Sequence, residues 1–344
     1  MTPDAPVTPD APVTPDAVTP DAVTLDVVIC TYDNARMLDR ALAALARQEA
    51  PEAARWSVLV VDNNCTDDTA AVVEAHRAAG AVPGLRRVVE PEQGLTPARL
   101  CGVRHTAGDW VAFVDDDCLL REDWVRRAAA FAAAHPACGA FGGRVVLDWE
   151  APPPSFVRRH GYAFAEQDHG EAAREVTYLV GAGLVVRRAA LEACGWTRRQ
   201  YLGDRVGRRL VSGGDVEITL RIHGAGFPLW YHPDCVLRHV IPASRTSLRY
   251  LVAMNYGLGR SQHDVDALRW PGSYAAWVRA SLGQLALETA RVARQGARAV
   301  VRRRARADAC IAWSFLRGRW AALGSTLVQG PRGRAFLGQA RGTG

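Results

Sequence analysis

No lysine occurs among the 344 residues; all 42 basic side chains are arginine. That absence removes a Walker-type phosphate lysine and any lysine Schiff base from consideration. A G-x-G-x-x-G loop is missing too. The first apolar run, Leu25 to Cys30, leads instead into Thr31-Tyr32-Asp33-Asn34, which argues against a dinucleotide-binding turn. The eight cysteines are scattered singly with no C-x-x-C pair, so neither a zinc ribbon nor a thioredoxin-type centre is expected. With no basic n-region or apolar h-region at the start, no secretory signal is expected, and a reducing cytoplasm is the anticipated compartment. Residues 309–328, broken by Arg317 and Arg319, lack the roughly 18 uninterrupted apolar residues of a spanning helix. Charge of one sign is scarce at the end: beyond Trp270, thirteen arginines meet only Glu288 and Asp308. The first 270 residues are therefore net acidic, which argues against a basic nucleic-acid groove through them.

What is present is a hydrophobic run that stops on three acids, Trp110-Val-Ala-Phe-Val-Asp115-Asp116-Asp117. A buried strand cannot carry three adjacent anions into a core, because desolvating an unpaired carboxylate costs several kcal/mol or more. The acids belong at the strand's carboxyl end, where open α/β sheets place ligands. Carboxylates this close repel unless a cation lies between them, and hard oxygen donors suit Mg²⁺ or Mn²⁺ shared with a diphosphate.

The surrounding pattern fits. Strands are expected at Leu25–Cys30, Ser57–Val61, Arg86–Glu90 and Trp110–Val114, with helices at Ala35–Gln48, Asp67–Ala79 and Thr96–Thr106 between them. This alternation implies an α/β layer with a mostly parallel sheet. Asp33, Asp62 and Asp115 all follow strands, so they converge on one cleft; singly, Asp33 and Asp62 could equally cap the next helix. Before this layer, residues 1–24 repeat Thr-Pro-Asp-Ala, a composition that reads as a disordered tail. After it come a strand at Gly139–Leu147, a polar loop from Phe156 to Glu175, a strand at Gly183–Arg187, and a helix whose first turn carries Asp215 and Glu217. The helix dipole alone favours acids there.

These pieces together resemble a family 2 glycosyltransferase of the GT-A fold. The resemblance spans about residues 25–265, a nucleotide-binding half (25–120) and an acceptor-binding half (139–265). It rests on Val28-Ile-Cys-Thr-Tyr-Asp-Asn34, Val60-Val-Asp62-Asn-Asn-Cys-Thr-Asp-Asp-Thr69, Gln93-Gly-Leu-Thr-Pro-Ala-Arg99, the Asp115–Asp117 run, Gly213-Gly-Asp215-Val-Glu217, and Tyr231-His-Pro233 with His239. It implies a Rossmann-like sheet flanked by helices and an inverting transfer of a hexose-type sugar from a nucleotide-sugar, a UDP-sugar by expectation. The acceptor is then a hydroxyl of a saccharide, lipid-linked or secondary-metabolite molecule in polysaccharide-type biosynthesis. Asp62 would take the imide N–H of the base, with Tyr32 stacking on it and Thr31, Asp33 and Arg99 lining the pocket. Asp115 and Asp116 would face the ribose and metal shell. Asp117 and His239 would hold Mn²⁺ or Mg²⁺. Asp215 would be the catalytic base, and Glu217 and Trp196 would face the acceptor. The chain departs from the family pattern at Gly214, where an acid is frequent, and at Gln93 and Leu100, where Asn is common.

Two rival functions remain open at this stage. A sugar-nucleotidyltransferase on a related sheet usually needs a Gly-rich opening loop and a lysine, and neither is present. A non-catalytic nucleotide-sugar-binding relative would be expected to lose the acid cluster or Asp215. The remainder, 270–344, is expected as an Arg-rich helical tail. Its Trp-bearing amphipathic character suits either peripheral contact with the inner membrane face or packing on the domain or on another subunit.

Overall fold

The computed structural model describes residues 23–49, 55–206, 213–302, 305–330 and 337–340. The repeat tail therefore lies outside the described residues, apart from Val23 and Thr24. Chain order begins β1 (Thr24–Thr31), α1 (Ala35–Leu45), β2 (Arg55–Asp62), α2 (Thr69–Ala79), β3 (Arg86–Val89), α3 (Leu95–Arg104), β4 (Trp110–Asp115). It continues β5 (Cys118–Leu120), α4 (Trp124–Ala134), β6 (Ala140–Trp149), α5 (Ser155–Arg158), a 3₁₀ turn (Gly161–Phe164), β7 (Arg174–Val176), β8 (Leu184–Arg187) and α6 (Arg188–Ala193). Last come α7 (Gly214–Gly224), β9 (Leu229–Ile241), a second 3₁₀ turn (Ala243–Arg245), α8 (Leu248–Arg269), α9 (Tyr274–Val301) and α10 (Arg306–Gln329).

One sheet organises the molecule, in the order β3-β2-β1-β4-β8-β6-β9-β5, with β7 added on β9. β3, β2, β1 and β4 are mutually parallel, as the strand–helix rhythm requires, while β8 runs antiparallel to both β4 and β6. Alternation along the strands assigns the two faces. Val27, Ile29, Val58, Val60, Ala112 and Val114 share a core with Leu38, Leu42 and Leu45 of α1 and Trp124 and Phe131 of α4. Val28, Leu59, Val61, Val111 and Phe113 share the other core with α3, α6 and α7. Each such fully buried aliphatic side chain stabilises the fold by about 1.5–3 kcal/mol.

The polar loop expected between Phe156 and Glu175 in fact holds the first 3₁₀ turn and the start of β7. Their short, irregular hydrophobic spacing gives no period to read. The C-terminal helices pack back on the domain. Ile311 of α10 joins Leu251 and Met254 of α8 in one buried cluster. A Cβ on Gly259 would lie 2.0 Å from the Phe315 carbonyl and one on Gly318 would lie 2.1 Å from that of Tyr256, so α8 and α10 touch backbone to backbone. Among the described residues, no helix is long and apolar enough to cross a membrane.

Candidate active site

Parallel register sets Cys30 opposite Asp115 and Thr31 opposite Asp62, so the residues that follow β1, β2 and β4 emerge at one edge of the sheet. A cavity of about 340 Å³ opens there. Thr31, Tyr32 and Asp33 line it from the end of β1 and the turn after it, and Asp115, Asp116 and Asp117 from the end of β4 and the turn after it. Arg99 of α3 reaches it from between those strands, and Asp215 of α7 and His239 of β9 from farther along the chain. Asp33, at φ 46°, accepts hydrogen bonds from the Thr66 N–H (2.7 Å) and hydroxyl (3.2 Å), clasping the β1–α1 loop to the β2–α2 loop.

The three acids at the end of β4 are held differently. Asp116 accepts from the Thr31 hydroxyl at 2.7 Å and the Asn34 amide at 2.8 Å. Asp117 lies between His239 Nε2 at 3.2 Å and Arg245 Nη1 at 3.0 Å. Burial alone would raise the Asp117 pKa, yet the imidazole and the guanidinium hold it well below the ordinary carboxylate range. Asp116 is pushed up to about 7 by burial, with the negative charge of Asp117 adding to the effect. Asp115 is likewise raised by burial against the pull of Arg99. Burial would lower His239, but Asp117 raises it overall. Among the described residues, Asp117 is ion-paired with His239 and Arg245, whereas Asp115 and Asp116 have no ion-pair partner within 4.0 Å.

That imbalance fits a divalent cation. Ligand atoms of Asp117, Cys118 and His239 lie within 4.8 Å of one another. Cys118 is buried, and burial raises its thiol well above the ordinary value; hard divalent cations also prefer oxygen and imidazole donors to sulfur. Carboxylates and an imidazole remain, a donor set suited to Mn²⁺ or Mg²⁺.

Asp215 sits in the first turn of α7. Its Oδ2 accepts from the Gly181 N–H at 2.8 Å and its Oδ1 from the Val216 N–H at 3.0 Å, which fixes the carboxylate at the cavity wall. Arg99 is 3% exposed, its guanidinium 5.6 Å from the Phe113 ring centroid and paired with Asp204 at 3.2 Å. Burial would lower the Arg99 pKa, but Asp204, Asp215 and Asp115 raise it overall. Asp204 is pushed up to about 6 by burial, against the attraction of Arg99.

Three expected site residues are placed elsewhere. Trp196, expected at the acceptor, is fully buried in the core that contains Leu191 and Ile218. Glu217 is fully buried as well. Its carboxylate accepts from the Tyr201 and Leu202 N–H groups and pairs with Arg221 at 3.0 Å, so it anchors the chain before α7 and does not line the cavity. Asp62 does not line the cavity; its oxygens accept from the Cys65 N–H at 2.9 Å and from Arg87 at 2.7 Å. Asn34, Asp204, Arg205 and Arg245 line the cavity without having been singled out. Asn34 ends the Val28–Asn34 motif, whereas Asp204 and Arg205 sit in an Arg- and Gly-rich stretch that reads as a solvated loop.

Residues 26–195 match the family described as Glycosyl transferase family 2. Succinoglycan biosynthesis protein ExoM of Rhizobium meliloti (strain 1021) is 26% identical over 254 residues, covering 74% of this chain and 78% of that protein. The glucosyl-dolichyl phosphate glucuronosyltransferase of Haloferax volcanii is 27% identical over 256 residues, covering 71% and 78%. Among solved structures, the mannosyltransferase PcManGT from Pyrobaculum calidifontis, in complex with GDP-Man and Mn²⁺, superposes with a TM-score of 0.57 at 20% identity over 91% of each chain. Residues 1–349 of S. aureus TarS, in complex with UDP-GlcNAc, give a TM-score of 0.52 at 19% identity, covering 74% of this chain and 70% of that one. A parallel nucleotide-binding layer, acids gathered at its strand ends and this family match lead to one assignment: the chain is a family 2 glycosyltransferase of the GT-A fold.

Proposed function

We propose that the chain transfers a sugar from a UDP-sugar to a saccharide hydroxyl, on a free or lipid-linked acceptor, in one inverting displacement with Asp215 as general base. One observation carries this reading: Asp215 and the Asp115–Asp117 cluster line the same cavity although a hundred residues separate them. Relatives support the substrate class, since one is named for succinoglycan biosynthesis and another for a glucosyl-dolichyl phosphate acceptor.

In this reading the acceptor oxygen attacks the anomeric carbon and passes its proton to Asp215. The new C–O bond forms as the bond from that carbon to the diphosphate oxygen breaks, and the electron pair leaves on the nucleoside diphosphate. The Gly181 N–H orients Asp215 so that its carboxylate meets the incoming hydroxyl, as a general base must. Asp115, Asp116, Asp117 and His239 are the residues that would hold Mn²⁺ or Mg²⁺. When bound, such an ion neutralises charge on the departing diphosphate. Arg205 and Arg245 add donors along the cavity that suit phosphate oxygens. Tyr32, 43% exposed, offers a ring face on which a base can stack.

The test is nucleoside diphosphate release by the full chain from a panel of UDP- and GDP-sugars, with and without Mn²⁺. Release that depends on the metal is expected, and Asp215→Asn should lower it by about 10²–10⁴-fold while donor binding persists. Pyrophosphate release, or an Asp215→Asn variant as active as the parent, overturns the reading.

The tail also faces outward. Cys310, Trp313, Arg317, Trp320 and Leu327 lie on one exposed stripe of α10, with Trp313 48% and Trp320 39% exposed. Trp interleaved with Arg suits the interface of an anionic leaflet, so we read the enzyme as peripheral at the inner membrane face. Co-sedimentation with phosphatidylglycerol vesicles, absent with phosphatidylcholine and weakened in Trp313→Ala/Arg317→Glu, is the expected result. Equal recovery with both lipids, or self-association without vesicles, rejects it.

A further inference from the structure

The residue before the candidate base is glycine, and the space its side chain would fill is already taken. A Cβ on Gly214 would lie 2.3 Å from Asp204 Oδ2. Asp204 comes from the loop between α6 and α7, and its side chain is 3% exposed. Its Oδ1 accepts from the Arg205 N–H at 2.9 Å, and its Oδ2 pairs with Arg99 Nη1 at 3.2 Å. The other end of that guanidinium lies on the Asp215 side, whose charge also acts on it. A Cβ on Gly181 would lie 2.8 Å from Arg99 Nη2 and 3.0 Å from Asp215 Oδ2, so both groups border the same space that glycine leaves empty.

Arg99 thus stands between two carboxylates, Asp204 on one side and Asp215 on the other. A buried guanidinium is always charged and needs a counter-charge. Without Asp204, the acids that remain to attract it are Asp215 and Asp115. A bidentate pair with Asp215 would occupy the oxygens that must receive the acceptor's proton.

We propose that Asp204 is a positioning residue for sugar transfer: it holds Arg99 and thereby leaves the Asp215 carboxylate free to take the proton. It supplies from a separate loop the negative charge that position 214, lacking a side chain, cannot. Gly214 and Asp204 form one unit, since the carboxylate fits only where the Cβ is absent. The inference rests on Asp215 being the base, as proposed above.

The experiment uses the full chain, the sugar donor that stabilises it most in thermal melts, and Mn²⁺. It compares Asp204→Asn, Gly214→Ala and the relocated pair Asp204→Ala/Gly214→Glu with Asp204→Ala alone. Gly214→Ala keeps the acid but displaces it, which covers the case in which removing Asp204 unfolds the loop. Asp204→Asn and Gly214→Ala should each lower kcat by about 10- to 100-fold, with donor KM within about three-fold of the parent. The relocated pair should recover about ten-fold over Asp204→Ala. A merely structural role would lower melting temperature and active fraction without this split and without rescue. A Gly214→Ala or Asp204→Asn kcat within about two-fold of the parent overturns the proposal, as does a relocated pair no better than Asp204→Ala. An active Asp215→Asn overturns the base assignment and this inference together; an inactive Asp215→Asn beside a fully active Asp204→Asn overturns this inference alone.

Discussion

Asp215 and Glu217 stand two positions apart on α7, which turns them about 200° away from each other around the helix axis. If Asp215 faces the cavity, Glu217 must face inward, and it does, fully buried against Arg221 and the Tyr201–Leu202 backbone. The separation of their roles was therefore legible from helical geometry once one of them was placed. Trp196 differs, because nothing local says whether a tryptophan after Cys194-Gly195 enters a cleft or a core. Its complete burial makes it a packing residue, and among the described residues its Nε1 finds no hydrogen-bond partner. Trp196→Ala should cost about 3–5 kcal/mol of stability in urea unfolding. Trp196→Phe should leave kcat and the KM for acceptor unchanged; a selective rise in acceptor KM would return it to the binding site.

At the level of elements, α8 carries a buried histidine that couples the C-terminal helices to pH. His263 is 1% exposed, 3.2 Å from the Thr326 hydroxyl on α10 and 5.1 Å, centroid to centroid, from the Trp277 ring on α9. Burial, reinforced by the positive charge of Arg319, depresses its pKa from 6.5 to about 4. Arg319 is itself paired with Asp266 of α8 and Glu288 of α9. With the folded value below the unfolded one, the unfolded chain binds the extra proton. The contribution is then complete above pH 6.5 and is lost as pH falls toward 4, amounting to about 2 kcal/mol by pH 5. Neighbouring Asp264, raised to about 6 by burial against Arg260, acts in the opposite sense over the lower part of that range. The measurement that isolates His263 is the difference between parent and His263→Gln in urea midpoint at pH 7.5 and pH 5. The parent should lose more stability; parallel losses would show that the ring is not held neutral.

For the whole molecule, the tail is continuous with the domain it follows. Ser314 donates to the Val252 carbonyl at 2.7 Å, Arg159 pairs with Asp308 at 2.8 Å, and Gly259 and Gly318 let α8 and α10 close on each other. Cutting the chain after Trp270 would expose the apolar face of α8 around Leu251 and Met254. Such a truncation is expected to be insoluble or to melt far below the parent in scanning calorimetry. A soluble, cooperatively melting and donor-hydrolysing fragment would show the tail to be separable. The charge count beyond Trp270 announced basic helices with apolar stripes. It could not say which stripe meets α8 and which faces out, because both α9 and α10 carry apolar residues on more than one side.

What the sequence determined by itself is the local and the periodic. Alternating strands and helices put Thr31, Asp62 and Asp115 at one sheet edge, because parallel strands must all end on the same side. Three adjacent acids had to sit outside the core, because desolvating them unpaired costs too much. Tertiary structure alone decided which distant groups complete the cavity. Arg245 reaches Asp117 only because β9 pairs with β5 and returns the chain past the β4 end. Asp204 reaches Arg99 only because a non-periodic loop folds over a glycine that leaves it room. Neither path is written in hydrophobic period or spacing, since long-range placement depends on which surfaces close on each other after the elements have formed.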